Sequence, residues 1–185
     1  MKIFTIGHST YTTNEFLEML KEANIDYLVD IRAFPYSKKH PQFNGDVLSD
    51  ALNQHNIEYQ HIEQLGGRRG QSGEVGESLN AAWNNASFHN YADYTLEEDF
   101  KYGIETLLNI AEQYNVTIMC SERHPARCHR LIISNYLVAH EHDVTHIIRS
   151  NQSVTLEEHK LGQWGAMPII EEDAEVVYPD LSDIK

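Results

Sequence analysis

Five short apolar runs alternate with stretches of helical periodicity, and that alternation limits the chain to a layered α/β architecture. The runs are KIFTIGHS from Lys2, DYLVDIRAFP from Asp26, IEYQHI from Ile57, VTIMC from Val116 and VTHII from Val144. Short, mostly apolar runs of this kind fit strands buried on both faces of a parallel sheet. Between them, Thr12 to Glu15 reads as a capping box leading into Phe16, Leu17, Leu20 and Ala23, with Asn24 as the stop. Asp46 is expected to cap a second helix carrying Val47, Leu48, Ala51 and Leu52. Thr95 to Glu98 reads as another capping box, ahead of Phe100, Ile104, Leu107, Leu108 and Ala111. LIISNYLVAHE from Leu131 completes the helical set, while the stretch from Trp83 to Tyr94 fits no single pattern. The expected fold is α/β: one domain over residues 1–150, a mostly parallel β-sheet flanked by helices, with an acidic, peripheral C-terminal extension over 151–185 that forms a hairpin or an ordered tail. Residues 65–77, rich in glycine, are expected as a loop.

A chain of 185 residues can bury a core without disulfide staples, and two cysteines are too few for a secreted disulfide scaffold. The start, MKIFTIGHST, does not read as a signal peptide, and no apolar run approaches membrane-span length. The expectation is a cytoplasmic protein with no membrane partner. A formal charge of −14 makes extended nucleic-acid binding an unsuitable function, because that needs a basic face. Yet eight of the fourteen basic residues fall in three loop-like stretches: Arg32, Lys38, Lys39, Arg68, Arg69, Arg123, Arg127 and Arg130.

In a parallel sheet, ligands bind at the carboxyl ends of the strands. His8 and Ser9 end the first run here, and Asp30 and Arg32 lie late in the second. Gly66, Gly67, Arg68 and Arg69 follow the third, and Cys120 and Glu122 end the fourth, with Cys128, His129 and Arg130 at the start of the next helix. One segment, CSERHPARCHR from Cys120 to Arg130, holds both cysteines, two histidines and three arginines. A cysteine after a strand, with a loop and a helix start beyond it, resembles the layout of rhodaneses and of Cys-x5-Arg phosphatases. The spacing departs from the phosphatase pattern, since Arg127 lies seven positions after Cys120, and the loop contains Pro125 and no glycine. Several readings stand side by side. Cys120 is a reactive thiol with Cys128 as its redox partner, or a small buried apolar residue. Cys120, His124, Cys128 and His129 are competent metal ligands, although their spacing is not a standard zinc pattern. The arginines form an anion site at a helix start, or pair with the many carboxylates. His8 is an acid–base group, or a ring that fixes its loop.

TIGHS at 5–9, VDIRAFPYSKKHPQF at 29–43, LGGRR at 65–69, FHNYADY at 88–94 and CSERHPARCHR at 120–130, followed by VTHI, together resemble the domain-of-unknown-function 488 (DUF488) family. The resemblance implies an α/β sandwich and carries no reaction. The family's characteristic positions fall here on Gly7, His8, Ser9, Asp30, Arg32, Pro35, Ser37, Pro41, Phe43, Gly66, Gly67, Tyr91, Cys120, Glu122, Cys128, His129 and Arg130. The polar ones coincide with the strand-end set.

The leading expectation is a site for a small anionic ligand, phosphate- or nucleotide-like, at the carboxyl edge of the sheet. It is expected to serve an enzyme in which Cys120, His8, Glu122 and His129 do the chemistry, with Cys128 as redox partner. Ser9, Asp30, Arg32, Ser37, Gly67, Arg68 and Arg130 are expected to line or hold the ligand. The alternatives are a non-catalytic module for a nucleotide or a nucleic-acid end, with Phe34, Tyr36 and Phe43 as stacking surfaces, and a metal protein using the cysteine–histidine cluster. The sequence names no cofactor and no oligomeric state.

Overall fold

The capping box at Thr12 forms as the spacing requires: the Thr12 hydroxyl accepts from Glu15 N at 3.1 Å and the Glu15 carboxylate accepts from Thr12 N at 2.9 Å. It launches α1 (Thr13–Glu22), and Asn24, at φ 55°, turns the chain into the next strand. A computed structural model describes residues 1–71, 73, 75–76 and 78–180. Three positions of the expected glycine-rich loop and the last five of the C-terminal extension therefore lie outside the described residues.

The strands are β1 (Lys2–Gly7), β2 (Tyr27–Asp30), β3 (Glu58–His61), β4 (Val116–Cys120), β5 (Asp143–Ser150) and β6 (Ser153–Glu158). They form one sheet in the order β3-β2-β4-β1-β5-β6, parallel throughout except for β6 against β5. The helices that follow α1 are α2 (Gly45–Asn53), α3 (Ala86–Tyr94), α4 (Glu98–Ala111) and α5 (Arg130–Ala139). The α/β class with a mostly parallel, helix-flanked sheet is thus the observed one.

Strand residues alternate between two cores, as the period of two demands. Phe4, Ile6, Leu28 and Met119 pack with Phe16, Leu20, Leu48 and Leu52 of α1 and α2. Ile3, Val29, Ile118 and Cys120 face the other way, among residues of α3, α4 and α5. β1 and β4 are neighbours, paired Gly7 to Cys120 at their ends. The chain leaves β1 for α1 on one face and leaves β4 for α5 on the other. That divergence opens a crevice at the carboxyl ends of the two strands, the place where ligands bind in such sheets.

Two expected caps are misplaced. α2 starts at Gly45 after Asn44, so Asp46 lies inside the first turn, where its carboxylate accepts only from Val47 N at 2.9 Å. Asn44 Oδ1 instead accepts from Ser37 N at 2.6 Å and holds the preceding loop. Thr95 caps nothing downstream: α3 runs up to Tyr94, so the Thr95 hydroxyl donates back to Ala92 O at 2.7 Å and α4 follows Glu97. The ambiguous stretch before Thr95 is the reason, because it becomes a helix.

Beyond Ser150, β6 extends the sheet along an edge and a small hairpin follows, β7 (Ile169–Ile170) against β8 (Val176–Val177). Val176, Val177 and Tyr178 are buried, so the described part of the extension is packed into the same body.

Gly7 is where the crevice is most tightly closed. A Cβ there would lie 1.6 Å from Glu122 O and 3.1 Å from Arg130 Nη2. Gly7→Ala is expected to lower stability by about 3 kcal/mol or more, because backbone rather than a flexible side chain must move. Gly70→Ala, where nothing lies within 4 Å, is expected to stay near wild type. Urea unfolding of both variants checks the contrast.

Candidate functional site

The crevice is a cleft of about 800 Å³. Its wall includes His8 and Ser9 after β1, Arg32 and Ser37 after β2, Gly67 and Arg68 after β3, and Cys120, Glu122, Cys128 and His129 from the end of β4 to the start of α5. Asp30 and Arg130 stand behind that wall, both fully buried. The strand-end residues singled out from sequence therefore share one place.

Arg32 is almost wholly used by the protein. Its Nε donates to Asp30 Oδ1 at 2.9 Å, and its Nη2 donates to Asp30 Oδ2 at 2.7 Å and to Phe43 O at 2.8 Å. Tyr59 Oη adds a 2.6 Å bond to the same carboxylate, while Arg32 Nη1 meets His8 Nε2 at 3.3 Å. Such a buried, saturated pair fixes a wall rather than offering a free cation.

The His8 Nδ1 lies 2.9 Å from Ser9 O and its ring stacks on Phe43 at 4.6 Å. Burial, aided by the Arg32 charge, holds its pKa down at about 4. The neutral ring thus donates to Ser9 O and accepts from Arg32. His129 is similar: Nε2 donates to Ile31 O at 2.8 Å, and burial lowers its pKa to about 4. Gly67 is glycine because of this ring, since a Cβ would fall 2.4 Å from His129 Nδ1. Glu122 acts through its backbone, its carbonyl accepting from Arg130 Nη2 at 2.9 Å, while the residue itself is exposed.

The two cysteines are free thiols with their sulfurs 2.6 Å apart. Cys120 is buried and Cys128 only partly so. Arg130 lies beside both. Its Nη1 donates to Thr5 Oγ1 at 3.2 Å and its Nη2 donates to the carbonyls of Glu122 and Arg123. Its Nε has no hydrogen-bond partner, and among the described residues no carboxylate lies within ion-pair distance of it. Burying a guanidinium without a counter-ion costs several kcal/mol, which a thiolate alongside would offset. Burial pushes the Cys128 thiol up, but the hydrogen bond with Cys120 and the Arg130 charge outweigh it and bring the pKa down to about 7. Cys120 is driven the other way, by burial first and then by its bond to Cys128. The pair can hold one proton, on Cys120, with the negative charge on Cys128.

Arg68, Arg123 and Arg127 are exposed at the cleft mouth, Arg68 over the Phe34 ring at 5.4 Å. Phe34 and Tyr36 are 65% and 64% exposed. Arg69 is turned away, its side chain donating to Gly66 O and Glu63 O over the Tyr94 ring. The metal-ligand reading gains nothing from geometry: among the described residues no group of three or more His, Cys, Asp or Glu is placed to hold an ion. His124 Nδ1 accepts from Ala126 N at 3.1 Å and its ring packs on Trp164.

Sequence reasoning missed the residues behind the wall. Thr5, His146, His159 and Asn135 form a buried polar chain leading to Arg130, and Tyr59 completes the Asp30 pair. The available signal was a polar residue inside an otherwise apolar strand, Thr5 in β1 and His146 in β5.

The family described as Domain of unknown function DUF488 matches residues 12–137. The chain belongs to the DUF488 family. The DUF488 match includes Arg32, Gly67, Arg68 and the whole cysteine segment, while TIGHS at 5–9 and VTHI at 144–147 lie outside it. No curated protein matches the chain, and no solved structure does.

The histidines generate a stability prediction. His8, His129 and His159 are lowered by burial from 6.5 to about 4, and His146 is lowered still further. An unfolded chain protonates them near 6.5, the native protein only near 4 or below. Their contribution is therefore complete above the unfolded value and falls with pH, by roughly 1.4 kcal/mol per pH unit for each ring. Urea midpoints taken at about pH 7 and about pH 5 are expected to drop sharply between the two. A flat response would contradict neutral native rings.

Proposed function

We propose that the cleft is the active site of a dithiol enzyme acting on a small anionic substrate, with Cys128 as the attacking thiolate. The observation that carries this reading is Arg130, a buried cation with no carboxylate partner, set against two thiols 2.6 Å apart on the cleft wall. Arg130 favours the charged form of both thiols, but Cys128 is the more exposed of the pair and the one whose pKa is brought down, so it takes the nucleophile's role that the sequence suggested for Cys120. Cys120, holding the proton, is the partner thiol. His8 and His129 serve as fixed, neutral walls at neutral pH, and Arg68, Arg123 and Arg127 draw the anion in.

The chemistry suited to this arrangement is thiol–disulfide exchange. The Cys128 thiolate attacks one sulfur of a small anionic disulfide; a Cys128–substrate disulfide forms and the first substrate thiolate leaves. Cys120 then attacks the Cys128 sulfur. A Cys120–Cys128 disulfide forms, the second substrate thiolate leaves, and it takes the Cys120 proton. The substrate gains two electrons and the protein loses two. A dithiol reductant returns the protein to its starting state, which fits the cytoplasmic setting expected from the cysteine count.

A second reading is favoured by Phe34 and Tyr36, whose exposure beside Arg68 suits stacking of a planar base. In that reading the cleft binds a nucleotide without turning it over, and the thiols are bystanders.

Alkylation followed residue by residue with mass spectrometry separates the two. Cys128 is expected to react with a midpoint near pH 7, below the roughly 8.5 of a free thiol, while Cys120 stays slow. Oxidised glutathione, an anionic disulfide, is expected to convert the pair to an internal disulfide, and Cys120→Ser to trap the mixed disulfide on Cys128. Inert thiols together with tight binding of a nucleoside monophosphate, weakened by Phe34→Ala, would favour the second reading instead.

A further inference from the structure

We propose that Thr5, His146, His159 and Asn135 form a positioning relay that holds Arg130 against the thiols and thereby sets the reactivity of Cys128. The inference rests on the dithiol reading above and assigns a part in it to the C-terminal segment. Thr5 lies in β1, His146 in β5, Asn135 in α5, and His159 directly after β6.

The direction of the chain follows from one fixed donor. Gly162 N can only donate, and it meets Asn135 at 3.1 Å, so the Asn135 atom there is the amide oxygen. That oxygen cannot donate, so His159 Nε2, 2.8 Å away, carries a proton. A neutral His159 then presents a lone pair on Nδ1, and His146 Nε2 donates to it at 2.9 Å. His146 Nδ1 is therefore an acceptor, and the Thr5 hydroxyl donates to it at 2.6 Å. The Thr5 oxygen is left with lone pairs for Arg130 Nη1 at 3.2 Å. Asn135 Nδ2 ends the chain on Tyr178 Oη at 3.2 Å. Burial keeps both histidines neutral. Every link runs away from the guanidinium, so each dipole turns its negative end toward that cation and the links reinforce one another.

The relay does not neutralise Arg130. It gives the guanidinium a fixed orientation and leaves its charge uncompensated for the sulfurs. The titratable or charged groups near the thiols and the guanidinium are Cys120 from β4, Tyr91 from α3, His146 from β5, and Arg123, His124, Arg127 and His129 from the segment leading into α5. Among the described residues none is a carboxylate paired with Arg130.

The test is the pH profile of Cys128 alkylation by iodoacetamide in four full-length variants: Thr5→Val, Thr5→Ser, His159→Leu and His159→Gln. Valine matches threonine in shape and lacks the hydroxyl; leucine cannot accept from His146, whereas glutamine both accepts and donates. Thr5→Val and His159→Leu are expected to move the midpoint upward, reducing the rate at neutral pH roughly three- to tenfold. Thr5→Ser and His159→Gln are expected to restore it. A merely structural role would lower thermal stability without moving the midpoint. If wild type shows the low midpoint and folded variants keep it, the relay is overturned and the dithiol reading survives. If wild type itself titrates like a free thiol, the dithiol reading fails and the relay with it. Should His159→Leu not fold, the Thr5 pair decides alone, since valine leaves the side-chain volume almost unchanged and serine removes a single methyl.

Discussion

A buried guanidinium with no carboxylate beside it is the constraint around which the carboxyl edge of this sheet is arranged. Arg130 is the largest fully buried side chain among the described residues. Lysine could not take its place: a point charge with a single nitrogen cannot reach Thr5 and two loop carbonyls at once, whereas the planar fork does. Its bonds to Glu122 O and Arg123 O pull the loop after β4 down onto the end of β1. That closeness is what excludes any side chain at position 7. The loop in turn carries the chain round to Cys128, which returns to within hydrogen-bond distance of Cys120 after eight residues. Backbone, cation and thiols are thus one construction.

The two arginines behind and within the wall show how context divides identical side chains. Arg32 meets a carboxylate, a carbonyl and an imidazole, and every strong donor direction but one is spent. Its role is to tie the β2 loop to His8 and Phe43. Arg130 has its donors pinned by neutral oxygens while its charge stays unbalanced. A carboxylate near Arg130 would quench its effect on the thiols, and its absence among the described residues is what separates a structural cation from one able to tune chemistry.

What the sequence disclosed follows the range of each interaction. The Thr12 capping box was readable because both of its bonds span three residues. The strand-end set was readable because a parallel sheet brings all carboxyl ends to one edge, so fold class alone predicts proximity. α3 was not readable: Tyr91, Ala92, Asp93 and Tyr94 are buried in succession, with no stripe, because the helix is wrapped by the single 3₁₀ turn at Glu63–Leu65 and by α4 and α5. That omission displaced the reading of Thr95. The relay was beyond reach for a different reason. Thr5 and His146 are 141 residues apart and meet only because β5 lies against β1, a strand order that periodicity does not give. The proposed division of roles between the cysteines also needed the fold, since it rests on the deeper burial of Cys120 than of Cys128.

Under the proposed function, selectivity would come from the charge distribution. The chain carries −14 overall, yet Arg68, Arg123 and Arg127 stand at the mouth of the cleft with the buried Arg130 behind them. On the proposed function, a field of one sign concentrated in a concave, low-dielectric recess would draw small anions in, while the net negative charge of the chain would disfavour large polyanions. In that proposal the same recess must also tolerate a negative charge at Cys128. An incoming anion would gain from the mouth and lose from the thiolate, so binding would favour a ligand whose charge is held several ångströms from its reacting atom. The exposed rings of Phe34 and Tyr36 line the same cleft, where under that proposal they would cover the body of such a ligand while its charge rests on the arginines.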